Sequence, residues 1–150
     1  MRHADKEKYI SELIDMTREG IEVDLPVSDN SMSPFLRDNR DSVYLKKPSE
    51  ELKRGDMVLF RRSNGKYIMH RISKITENGY YTIGDAQFFE EGPIKREQIC
   101  GIVTKVRRKG ECISKGDFVW DFYENVWSRI IKLRKPFLKF NWKIASMSIR

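Results

Sequence analysis

Two residues in this sequence have types and surroundings suited to acyl transfer, a serine in a turn and a histidine in a strand. Ser31 lies in SDNSMSP, directly after the alternating run Ile21, Val23, Leu25 and Val27. A hydroxyl presented by such a turn can face a cleft, and the backbone N–H groups of Ser31 and Met32 can hold a developing oxyanion. A turn serine is more often only a turn former, so Ser31 gains weight from its partners. His70 lies in KYIMHRIS, where strand parity puts it on one face with Ile68 and Ile72. A histidine in that setting is commonly a satisfied, half-buried side chain. Its near-neutral pKa also suits removal of a proton from serine. Asp85, after Gly84 in YYTIGDAQFFEEG, is the candidate carboxylate to fix the imidazole tautomer and stabilise the imidazolium. Lys66 is the rival base. It shares the His70 face by parity but lies four residues, roughly 13 Å, away along the strand, so His70 is preferred.

The elements that must position these groups follow from periodicity. Tyr9, Ile10, Leu13 and Ile14 have helical spacing within Asp5 to Glu19, and Gly20 is placed to end that helix. The alternation over Ile21–Val27 predicts a strand. Further strands are predicted at Ser42–Leu45, Asp56–Phe60, Lys66 to about Lys74, Tyr80–Ile83 and Gln98–Val106. Asn64-Gly65 suggests a tight hairpin with positive φ at both central residues; Asn78-Gly79 and Lys109-Gly110 mark further turns. Many short strands with turn signals predict a mainly β fold, coiled or barrel-like, rather than βαβ units. The expected organisation is an N-terminal helix over residues 1–20, a β domain over 21–116 and a basic, aromatic helical extension over 117–150.

Taken together and in order, NSMSP, RGDMVLF, MHRI, TIGD and QICGIV resemble the type I signal peptidases, in particular the branch that uses Ser–His in place of Ser–Lys. Ser31, Met32 and Pro34 match the family's Ser-Met-x-Pro. Gly55, Asp56 and Val58 match Gly-Asp-x-Val, His70-Arg71 the His-Arg pair, and Gly84-Asp85 the Gly-Asp turn. The likeness covers about residues 21 to 106. It implies a coiled antiparallel β-sheet fold shared with LexA-type repressor peptidases, with Ser31 as nucleophile, His70 as general base and Asp85 as orienting acid. The chain departs from the family at Asn30, where glycine is common. Asp29 stands where some relatives offer a hydroxyl to the oxyanion hole, and an acid there repels an oxyanion unless it points away. Gly-Asp-Ala-Gln replaces Gly-Asp-Asn-Asn, and Glu91 is a possible second carboxylate near the family's downstream acid.

Composition bounds the rest. The chain has 150 residues and a net charge of +7, which favours anionic partners without choosing among them. The N-terminal stretch is charged throughout and lacks the apolar run of a signal peptide, and no stretch approaches the ~20 apolar residues of a membrane span, so a cytoplasmic protein is expected. Cys100 and Cys112 form no CxxC pair and the histidines are only His3 and His70, so no structural zinc and no cofactor are expected. Residues 118–150 carry seven basic and two acidic side chains among Trp120, Trp127, Phe137, Phe140 and Trp142, with Pro136 expected to kink any helix there. That segment reads as a helix packed on the core, as an in-plane helix on an anionic membrane, or, last, as a nucleic-acid contact. The expected activity is serine endopeptidase cleavage of a peptide or leader. The alternatives are an inactive peptidase-fold protein that binds or escorts a peptide, and a membrane-associated regulator.

Overall fold

The computed structural model describes residues 3–130, and for His3 and Ala4 only the backbone. Helix α1 spans His3–Arg18 and buries Ile10 and Ile14 against the sheet. Eight strands follow: β1 (Val23–Pro26), β2 (Ser42–Lys46), β3 (Met57–Arg61), β4 (Tyr67–Thr76), β5 (Gly79–Ile83), β6 (Glu91–Ile94), β7 (Ile99–Arg108) and β8 (Glu111–Ser114). They form one antiparallel sheet in the order β1-β2-β7-β3-β4-β5-β6, with β8 paired to β7 beside it. The sheet is open, with β1 and β6 at its ends, so the barrel-like closure expected from sequence is not found. Helix α2 (Phe118–Asn125) and a short 3₁₀ turn (Trp127–Arg129) complete the described chain. The rest of the expected C-terminal extension, including Phe137, Phe140, Trp142 and the Pro136 kink, lies outside the described residues.

Strand alternation builds two cores, one on each face. Met57, Leu59, Val43, Leu45, Val103 and Val106 join α1 and Trp120 in the larger cluster. Leu52, Val58, Phe60, Ile72, Ile94 and Ile99 form the smaller one. In register, Val58 lies opposite His70 and Met57 opposite Arg71, so consecutive residues of β4 serve opposite faces.

The β3–β4 connection differs in type from the expected tight turn. Arg62 N–H bonds Lys66 O and Gly65 N–H bonds Arg62 O, both at 2.8 Å, and Gly65 has a positive φ while Asn64 does not. This is a three-residue loop ending in a left-handed glycine, which suits the strand twist as well as a two-residue turn does. Two adjacent positive φ values occur instead at Lys109-Gly110, the turn between β7 and β8. Cys100 and Cys112 are both free thiols.

Candidate active site

The serine turn is held from below by its neighbours. Met32, Phe35 and Leu36 are all buried in the larger core, and the turn that carries them is closed by Leu36 N–H to Met32 O at 3.0 Å. That leaves Ser31 at the rim, half-buried. The Ser31 carbonyl accepts the Ala86 N–H at 2.9 Å, which docks the turn onto the loop after β5. A Cβ on Gly84 would lie 2.5 Å from that carbonyl oxygen, so the Gly-Asp turn needs glycine for space. Gly84→Ala should therefore destabilise the fold by about 1–3 kcal/mol, as overpacking does, and shift the Ser31 turn. Urea denaturation and the Ser31 and Ala86 amide shifts check this; an unmoved Ala86 amide would contradict the contact.

His70 is 2 % exposed, with its ring centroid 6.1 Å from that of Phe60 in an edge-to-face arrangement. Burial lowers its pKa, outweighing the charges of Glu91, Asp29 and Asp85 that favour the imidazolium; Arg62 opposes it. Nδ1 is buried without a hydrogen-bond partner.

Asp85, the expected orienting acid, does not supply that partner. Its two carboxylate oxygens accept Arg71 Nε and Nη2, each at 3.0 Å, in a pair whose side chains are 1 % and 0 % exposed. A planar guanidinium matches a carboxylate in two parallel bonds, which a single imidazole N–H cannot equal. Arg71 Nη1 also donates to Gly55 O at 2.9 Å, and its guanidinium lies over the Phe35 ring at 5.7 Å. Trp127 Nε1 donates to the Asp85 backbone carbonyl at 2.8 Å. Asp85 is thus the anchor of a buried cationic junction. The parity that separates Arg71 from His70 was legible in the sequence; the pairing of Arg71 with Asp85 was not.

Glu91 lies close enough to be the leading charge that favours the His70 imidazolium, but its oxygens accept Arg62 Nε and Nη2 at 2.8 and 2.7 Å. Those bonds hold the Glu91 carboxyl below its usual range. Arg62 had no signal in the sequence. Asp29, noted there only as a departure, is central: its Oδ1 accepts both the Ser31 hydroxyl at 2.7 Å and the Ser31 N–H at 2.9 Å. Of the two backbone donors expected for an oxyanion, the Ser31 N–H is thereby already engaged. Residues 86–91 of the loop after β5 line a shallow, open depression, and Phe89 there is 84 % exposed.

Among the described residues no cluster of His, Cys, Asp and Glu could hold a metal ion, and no helix is long and apolar enough to cross a membrane. Comparison with protein-family models, with curated proteins and with solved structures returned no match.

Proposed function

We propose that this chain is a cytoplasmic serine endopeptidase of the signal-peptidase type, with that family's coiled β-sheet fold, cleaving a peptide or leader segment. One observation carries the reading: the separated segments of the resemblance converge. Gly55 O and Asp85 both bind Arg71, Phe35 of the serine turn lies under the same guanidinium, and Ser31 O binds Ala86 beside Asp85. His70 is the neighbour of Arg71 on β4 and feels the charge of Asp29, the residue that holds Ser31. In the reaction, the Ser31 hydroxyl leaves Asp29 and attacks the scissile carbonyl. His70 takes the hydroxyl proton and returns it to the leaving amine, and water then hydrolyses the acyl–Ser31 ester by the reverse proton path.

A fluorophosphonate probe tests this directly. Covalent labelling should map to Ser31 and vanish in both Ser31→Ala and His70→Ala; labelling that persists in Ser31→Ala removes the nucleophile. One observation favours a second reading, a peptide-binding protein that keeps the fold without hydrolysis: Asp29 occupies both the hydroxyl and the N–H of Ser31. A protein of that kind would bind peptide without being labelled.

A further inference from the structure

Three carboxylates lie within charge range of His70, and they differ in what neutralises them. Asp85 is paired with Arg71 and Glu91 with Arg62, whereas among the described residues no ion pair reaches Asp29. Asp29 is exposed, yet it is bound to the candidate nucleophile through both the side chain and the backbone of Ser31. An oxyanion growing at the Ser31 N–H would meet a carboxylate oxygen already there, and two negative charges cannot share one donor at short range without strong repulsion. The carboxylate must therefore leave before acyl transfer. A positive charge delivered close to it is the simplest agent, since an ion pair replaces the bonds to Ser31 that are lost.

We propose that Asp29 is a specificity-determining residue: it caps Ser31 in the free protein and is drawn off by a lysine or arginine side chain next to the scissile bond, an assignment that rests on the peptidase reading. Substrates would then be peptides with a basic residue within about two positions of the cut. Their side chain would reach the nucleophile's turn at Asp29.

Three measurements on the full chain test this. Amide hydrogen exchange at Ser31 should quicken ten-fold or more in Asp29→Ala, and less in Asp29→Asn, whose amide oxygen still accepts the N–H. Labelling of Ser31 by an uncharged fluorophosphonate should quicken ten-fold or more in Asp29→Ser, which removes the charge and offers a hydroxyl. Digestion of a random peptide mixture, read by mass spectrometry, should show lysine and arginine enriched beside the cut bond with the native chain and lost with Asp29→Ser. Unchanged Ser31 exchange overturns the cap. Unchanged or slower labelling of Asp29→Ser, or an unchanged product pattern, overturns the role in specificity. Faster exchange with no Ser31 labelling in either form defeats the peptidase reading, and the substrate preference with it.

Discussion

Ser31→Ala and His70→Ala should each lower kcat/KM for peptide hydrolysis by about 10³-fold or more, and the double variant should fall little further. Nucleophile and base act as a unit, so the loss of one leaves the other without a task. His70 enters the reaction from a buried strand position, and burial sets the pH dependence expected of it. Its pKa lies below the ordinary imidazole value of 6.5, so the neutral, proton-accepting form persists to lower pH. Activity should rise through that lowered pKa, placing the acid limb of kcat/KM below a typical histidine limb. Steady-state rates between about pH 4.5 and 8 check both points. A limb above the ordinary value, or additive losses in the double variant, would contradict His70 as the base. His70 is packed against Phe60, so thermal unfolding of His70→Ala has to accompany the kinetics.

Breaking the junction beneath the site should be the most damaging single change to stability. Arg71→Met leaves the Asp85 carboxylate buried without its counter-charge, for which a cost of about 3–5 kcal/mol is expected. Against the 5–15 kcal/mol typical of a domain, that is a large share. The same substitution strips a donor from Gly55 O and a cation from the Phe35 ring, so the serine turn should loosen as well. Arg71→Lys keeps the charge but cannot make the two parallel bonds, and should fall between Met and wild type. Replacing both partners, with Arg71→Met and Asp85→Leu together, should recover much of the loss, because no uncompensated charge is then left in the core. Urea midpoints for the four proteins measure the order. If Arg71→Met proved as stable as wild type, the Arg71–Asp85 pair would not be what holds the Asp85 carboxylate, and Asp85 would be free to serve another partner.

Much of the scaffold was legible in the sequence because it depends on local rules. Ile21, Val23, Leu25 and Val27 alternate, and a strand forms at Val23–Pro26 where the expectation began at Ile21. The apolar spacing of Tyr9 to Ile14 yields α1, and DMVLF yields β3. Strands β6 and β8 were not foreseen. Glu91–Ile94 contains Gly and Pro and is held by pairing with β5, while β8 depends on β7 for its partner, so neither announces itself by its own pattern.

For the site, the residues themselves determined which chemistry was available: a hydroxyl in a turn, an imidazole of near-neutral pKa in a strand, and carboxylates nearby. They also determined that His70 and Arg71 must face opposite ways, since alternation along a strand is a property of the backbone. Which cation each carboxylate takes was decided only by the fold. Arg62 and Glu91 are 29 residues apart and Arg71 and Asp85 are 14 apart, and each pair meets because strands carry them together. Asp29 is the instructive opposite. It lies two residues from Ser31, so its reach to that residue is local, but whether it points toward or away from the hydroxyl depends on how Met32, Phe35 and Leu36 seat the turn in the core. Pairing of charges is a competition among all partners within a few ångströms, and only the packed chain sets those distances.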